Sequence, residues 1–433
     1  MKNRFFMLFV IGMMLSFFPL VSFASHSDKT PPQAWMTFLN TLKKEMLAKG
    51  ISQKTIDKAY GNNTYYHPTP DVVAQDKKQA EFIMTSRDYV NRIVSEKRVE
   101  NARKHYKTLN KKYKKIEDEF GVPLNYLVAF WGIETNFGQN KGKYHLIDGL
   151  TNLSYRNRRS KFFKNELYHV LKIMDTFDLE NDKMLGSWAG AMGHFQFMPS
   201  TYQSYAIDYD GDGVVDIWDS FDDAIGSAAN YLQSLGWKID EPWGMAVSLP
   251  WDFDYTLTGY KIRKTVEEWE NLGVLTLDGK KIELDPELKA SIIIPDGRKG
   301  LAYLILGNFR RIMIWNRSEN YALAVSLLAD YISSQKKYHP VGVKGQYSLT
   351  NKDIEDVQRF SNKILHTHLT IDGKLGPKTK DAVKKLQAKA KMHQDGYPDY
   401  MLLQKISNYN TNLGFHVPVQ PKKVKKNLKN SAE

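Results

Sequence analysis

One carboxylate sits among apolar residues in the segment Pro123–Gly138, PLNYLVAFWGIETNFG, and this stretch constrains the fold more than any other. Leu124, Leu127, Val128 and Trp131 recur at i, i+3, i+4 and i+7, the spacing of a helix with a core-facing stripe. A further step of three reaches Glu134, so the spacing predicts a carboxylate pointing where Leu127 and Trp131 point. A buried carboxylate with no cationic neighbour keeps its proton to higher pH, because burial penalises the charged form. Protonated at neutral pH, it can hand that proton to a leaving group. The competing expectation is a solvated or structurally satisfied acid near a helix end.

The N-terminal residues carry Lys2 and Arg4, then an apolar run, then Ser22-Phe23-Ala24 with the small residues a signal peptidase needs. They predict a signal peptide over 1–24, cleaved near Ala24, and an exported, periplasmic protein. The alternative, an uncleaved membrane anchor, is opposed by Ser16 and Pro19 within the run. With no cysteine in the chain, a disulfide framework and a lipid-modified N-terminal cysteine are both excluded. Stability must come from core burial, for which about 400 residues are ample, in two or three domains. Loss of Lys2 and Arg4 takes the formal charge from +13 to +11. That balance suits an anionic partner such as a cell-wall polymer or a membrane surface. Nucleic acid is not expected, since the chain shows an export signal and no recognition helix or aromatic–basic sheet pattern.

Pro31 to about Lys115 reads as helical, with Gly50 as a helix stop and Ser52 as the cap of the next helix. Residues 120–240 alternate helical stripes with Gly- and Asp-rich loops. Residues 245–300, with patches such as YTLTGYKIRKTV, predict short strands or extended loops. Helix returns through FRRIMIWNRSENYALAVSLLADYISSQKK. A linker over 340–347 then precedes a compact segment over 348–408 and a Lys-rich tail, 409–433, expected to be disordered. No transmembrane span is expected after the signal, and the mature protein is expected to be a monomer.

Gly186–Tyr202, GSWAGAMGHFQFMPSTY, gathers glycines and alanines with Ser187, Gln196 and Ser200 and the aromatic faces of Trp188, Phe195 and Phe197. Neutral polar groups among aromatics suit a sugar, which offers hydroxyls at its rim and an apolar C–H face. Tight helix packing with a turn at Met198-Pro199-Ser200 fits the composition equally well. Asp208–Asp219, DYDGDGVVDIWD, places Asp208, Asp210 and Asp212 at positions 1, 3 and 5 of a calcium loop. Gly213 takes the sharp-turn position and Val214 the backbone-carbonyl position. Position 12 is Asp219 where Glu is usual, so the last ligand can come from elsewhere. A full oxygen cage leaves no place for substrate, so the expected role of calcium is structural. No organic cofactor is expected.

These residues resemble a known family. WGIETNFG (Trp131–Gly138), RRSKFFKNEL (Arg158–Leu167), GSWAGAMGHFQFMPS and YAIDYDGDGVVDIWDSFDDAIGSAANYL (Tyr205–Leu232) are similar in order and spacing to the B-type lytic murein transglycosylases. The resemblance implies a mainly α fold: a lysozyme-like helical catalytic domain over 25–339 with flanking helical and small mixed α/β regions. It implies peptidoglycan glycan strands as substrate and Glu134 as sole catalytic acid and base. It further implies sugar contacts from Ser187, Gln196 and Tyr231, and glycan contacts from Tyr89, Asn316 and Tyr321. Trp315 stands where the family pattern has Tyr, keeping a stacking face and losing the hydroxyl. The implied calcium ligands are Asp208, Asp210, Asp212, the carbonyl of Val214 and Asp223, with Asp219 and Asp222 as alternatives for the last. LTNKDIEDVQRFSNKIL, IDGKLGPKTKDAVKKLQ and DGYPDYMLLQKI resemble a small three-helix peptidoglycan-binding module, with its second helix capped near Lys378–Thr379. Other cell-wall enzymes are candidate partners.

Two-carboxylate glycosidases place an acid and a nucleophile or base across the bond. The motifs here offer one candidate acid, and the resemblance implies that the muramyl C6 hydroxyl closes on C1, giving a 1,6-anhydromuramyl end without water. A hydrolytic muramidase, or a non-catalytic calcium-dependent wall-binding scaffold, are the alternatives.

Overall fold

In the computed structural model, which describes residues 32–61, 84–155, 159–334, 336–342 and 349–409, the helix Leu124–Thr135 runs through the main core. Its burial is not confined to one face. Tyr126, Ala129, Phe130 and Gly132 are buried along with Leu124, Leu127, Val128 and Trp131, because the helices Glu96–Phe120 and Glu319–Ser333 both pack against it. A helix apolar all round is an interior helix, not an amphipathic one. The Glu117 carboxylate accepts the Leu124 N–H at 2.7 Å, satisfying one orphan donor at a start where Pro123 offers no side-chain cap.

Local signals set the neighbouring helices. Gln33–Ala48 ends just before Gly50, and the Ser52 hydroxyl accepts the Thr55 N–H at the start of Gln53–Tyr60. Leu146–Ser154 and Ser160–Phe177 pack as a pair, and Pro199–Tyr205 lies against the second of them. Glu166, buried in that pair, accepts from the Ser200 N–H and hydroxyl, tying the Pro199–Tyr205 helix down.

Between about 244 and 305 five short strands form an antiparallel sheet in the order Lys264–Thr265, Lys289–Ile293, Ala302–Ile305, Gly244–Ser248, Leu275–Thr276. Leu304 lies opposite both Met245 and Ile292, and a separate small core forms around Val247, Trp269, Ile292 and Leu304. The alternating YTLTGYKIRKTV patch differs from a strand over most of its length. Asp254 accepts the Thr256 N–H and starts a 3-10 turn at Tyr255–Leu257, and pairing begins only at Lys264. Thr265 then forms a reciprocal capping box with Glu268.

The C-terminal module comprises Asn351–Leu365, Pro377–Lys389 and Tyr400–Tyr409 around Ile354, Val357, Val383, Leu386, Leu403 and Ile406. Its second helix starts at Pro377 with Gly376 as cap. The Thr379 hydroxyl instead donates to the Lys374 carbonyl and accepts from Gln358, so the cap near Lys378–Thr379 is corrected. Two buried amides clamp two Asp-Gly turns: Gln358 receives the Asp372 and Gly373 N–H groups, and Gln387 receives that of Gly396. The expected signal peptide, most of the 340–347 linker and all but the first residue of the 409–433 tail lie outside the described residues. Among the described residues no helix is long and apolar enough to cross a membrane.

Candidate active site

Glu134 occupies the last turn of the central helix, where it is half-buried and not sealed in the core. The expectation of full burial is therefore corrected: the helix emerges at this turn, and Asn136 and Phe137 take left-handed backbone that bends the chain away. Two donors from a distant part of the chain hold the carboxylate. Trp315 Nε1 donates to Oε1 at 3.0 Å and the Tyr321 hydroxyl donates to the same oxygen at 2.5 Å. Trp315 closes the helix Gly307–Trp315, and Tyr321 lies in the first turn of Glu319–Ser333, whose cap Ser318 accepts the Tyr321 N–H. The indole thus replaces the missing hydroxyl with an N–H donor. Burial, then the nearby Glu134 charge, push the Tyr321 phenol well above its ordinary value, so it stays protonated and donating. Tyr89 is buried near enough to Tyr321 to raise it further, and Asn316 is half-buried immediately after Trp315.

Aromatic rings wall this acid. Trp315 meets Phe130 at 4.5 Å between centroids, Tyr231 at 5.2 Å and Phe197 at 5.4 Å, and Tyr231 stacks on Tyr205. Tyr231 is placed by the helix Phe221–Ser234.

Residues 186–198 form no helix themselves, but Gly186 and Gly190 pack tightly against Leu146 and Leu150 of the helix Leu146–Ser154, as the packing alternative expects. The segment folds into a tight loop bridged at Gly186–Met192 and Met192–Phe197. Its glycines admit neighbouring backbone: a Cβ on Gly193, at φ 66°, would sit 2.4 Å from the Ile217 carbonyl oxygen. The Ser187 hydroxyl accepts from Ala191 N and Ala189 N, shaping the loop. Gln196 adopts a left-handed φ of 52°, which is costly for a non-glycine residue. Its amide nitrogen donates to the carbonyls of Lys141 and Gly193, which fixes the orientation of the amide and commits its donor side to the protein.

Thr135 supports the local turn, as expected from its place beside Glu134, whereas His194 was not expected to be part of this framework. Thr135 donates to the His194 carbonyl and accepts from Gly138 N, joining the helix end to the loop. Trp131 Nε1 donates to His194 Nδ1 at 3.0 Å, and burial, then Lys141, hold the imidazole down to about 4, so it is neutral near pH 7. The adjacency of Glu134-Thr135 and of His194 to Gln196 was the available signal.

In the acidic loop the carboxylates of Asp208, Asp210 and Asp212 converge, their ligand oxygens within 4.8 Å of one another and exposed. Three carboxylates facing one point suit a hard divalent cation. Asp223 is placed differently from those three. Fully buried, it accepts from the N–H groups of Tyr209, Asp210 and Asp216 and so frames the loop from beneath. Asp219 pairs with Lys141, and Asp222 with Lys112.

The profile described as the Transglycosylase SLT domain matches residues 34–330, and one described as a peptidoglycan binding domain matches 350–406. The membrane-bound lytic murein transglycosylase B of Escherichia coli is 35% identical, over 49% of this chain and 58% of its own length. The match therefore spans little more than half of that relative. SltB3 of Pseudomonas aeruginosa, solved in complex with NAG-anhNAM-pentapeptide, is 34% identical with a TM-score of 0.80, covering 87% of this chain and 100% of that one. The Escherichia coli lytic transglycosylase Slt35, solved in complex with calcium, is 26% identical with a TM-score of 0.59, covering 68% of this chain and 92% of that one. The mostly helical fold, the central Glu134 helix and these matches agree: the chain belongs to the SLT-domain lytic transglycosylases and carries a C-terminal peptidoglycan-binding domain.

Proposed function

We propose that the protein cleaves the β-1,4 bond between N-acetylmuramic acid and N-acetylglucosamine without water, leaving 1,6-anhydromuramyl ends. The observation that carries this reading is the Glu134 carboxylate, anchored through Oε1 by Trp315 and Tyr321 inside an aromatic wall. In its protonated form the carboxyl held in this way is a donor toward the glycosidic oxygen. As the C1–oxygen bond breaks, that proton passes to the leaving N-acetylglucosamine. Glu134, now a carboxylate, takes the proton of the muramyl C6 hydroxyl, whose oxygen bonds to C1. Proton and electron pairs balance, and the acid is restored.

Tyr231 and Trp315 offer faces for sugar C–H groups. Gln196, its nitrogen held by the protein, presents its amide oxygen to sugar N–H or O–H donors. Ser187, Tyr89 and Asn316 complete the proposed glycan contacts. Asp208, Asp210 and Asp212, with the Val214 carbonyl, would hold calcium, and Asp223 would order the loop or supply a further oxygen. Calcium supplies charge compensation for these carboxylates and rigidity behind the Phe221–Ser234 helix; no step of the reaction passes through it. The chain acts in the periplasm in wall remodelling, with the C-terminal module raising the local concentration of strands. Glu134→Gln tests the assignment: loss of released muropeptides with retained wall binding is expected, and undiminished turnover would remove Glu134 from the mechanism.

A further inference from the structure

Charged and polar contacts join the C-terminal module to the rest of the protein, and one of them reaches the helix that serves the acid. Lys380, on Pro377–Lys389, donates to Glu319 Oε1 at 2.7 Å, with 25% of its side chain and 18% of the glutamate's exposed. The other oxygen of Glu319 accepts the Tyr260 hydroxyl at 2.7 Å, from the loop before the sheet strand Lys264–Thr265. Glu319 is the first residue of the Glu319–Ser333 helix, and Tyr321 stands two residues on. One carboxylate therefore links the module, the sheet region and the helix turn that presents a hydrogen-bond donor to Glu134.

The surrounding contacts hold Lys380 in register. Lys384, one turn along the same helix, donates to the carbonyls of Thr258 and Tyr255. Asp395 accepts the Arg298 N–H at 3.0 Å, where Gly297 lets Tyr397 approach so closely that a Cβ on Gly297 would lie 2.6 Å from the tyrosine Cβ. Lys299–Asp399 and Lys261–Asp381 add pairs at the rim. Ion pairs at the surface contribute little alone, but this one is mostly shielded and shares its carboxylate with a buried phenol.

We propose that Glu319 and Lys380 are positioning residues for the reaction: docking of the C-terminal module, through their ion pair, fixes the helix turn that sets the Tyr321 hydroxyl on Glu134. The module is thereby part of the catalytic framework as well as a wall anchor. This rests on Glu134 being the acid.

The test uses the full-length mature protein and short soluble glycan strands, with kcat, KM and melting temperature measured for each variant. Lys380→Ala and Glu319→Gln are each expected to lower kcat about 10-fold with KM little changed, because a displaced donor costs orientation and not binding. The two losses should not add in the double variant, and Lys380→Arg should recover most of the rate. The charge-reversed pair Lys380→Glu with Glu319→Lys keeps an attraction at the same place and should exceed either single reversal. That comparison decides the matter if the alanine variant melts early. A kcat for Lys380→Ala within about twofold of the parent, or fully additive losses, would overturn the proposal. A raised KM with unchanged kcat would likewise overturn it, by making Lys380 a substrate contact. Glu134→Gln is measured alongside: its retained activity sinks the acid assignment, whereas its loss beside an unaffected Lys380→Ala sinks only the coupling.

Discussion

The Trp315 indole and the Tyr321 hydroxyl both donate to Oε1 of Glu134. Glu134→Gln keeps the shape and removes the transferable proton, and should cost about 10²–10⁴-fold or more in turnover of soluble strands. Tyr321→Phe removes the hydroxyl with the ring left in place, and Trp315→Phe removes the N–H with a smaller stacking face. Each should lower kcat by about 10-fold, measured by release of soluble muropeptides. Of these two changes, a rise in KM should accompany only that of Trp315, which offers a sugar face where Tyr321 offers its hydroxyl to Glu134. Equal effects on KM from both would contradict that division of roles.

On the helix that presents Tyr321, Asp330 is an exposed residue whose carboxylate nonetheless turns against the buried Trp243 and accepts its indole N–H at 2.9 Å. Desolvation of that carboxyl against its packed neighbours lifts it to about 6 from an ordinary 3.8, a shift only partly opposed by the Trp243 bond. The folded chain therefore holds this proton more tightly than the unfolded chain does. Its stabilising contribution is complete below the unfolded value and is lost as pH rises through about 6. Asp330→Asn, which never ionises, should gain melting temperature relative to the parent between about pH 4 and pH 7, then hold a constant difference. A difference that does not change with pH would contradict it. In the acidic loop, chelation should lower the melting temperature, and Asp208→Ala should abolish that shift. Local chemistry made much of the local structure legible: Gly50 and Ser52 punctuate two helices, and Asp208, Asp210 and Asp212 converge as their spacing predicts. Longer-range context decided the rest. The YTLTGYKIRKTV alternation lacked a partner strand until Lys264, and Asp223 was drawn beneath its loop by three backbone donors.

At the scale of the whole molecule, the contacts that matter join residues far apart in the chain. Trp315 and Tyr321 reach Glu134 across 181 and 187 residues, and Lys380 reaches Glu319 across 61. No local pattern encodes such pairs; the family motifs placed Tyr321 and Trp315 near the site, and nothing in the sequence marked Lys380. Because exposed charge pairs such as Lys299–Asp399 and Lys261–Asp381 contribute to the module's docking, raising ionic strength to about 1 M should loosen it, seen as a larger radius of gyration by small-angle scattering. An unchanged radius would assign the docking to the apolar contacts at Tyr397. The most direct test of the central claim is mass spectrometry of the muropeptides released from purified sacculi by the wild-type protein. The account predicts 1,6-anhydromuramyl ends, each one water lighter than a hydrolysis product. Reducing muramyl ends would contradict it and make the protein a hydrolase that uses the same acid.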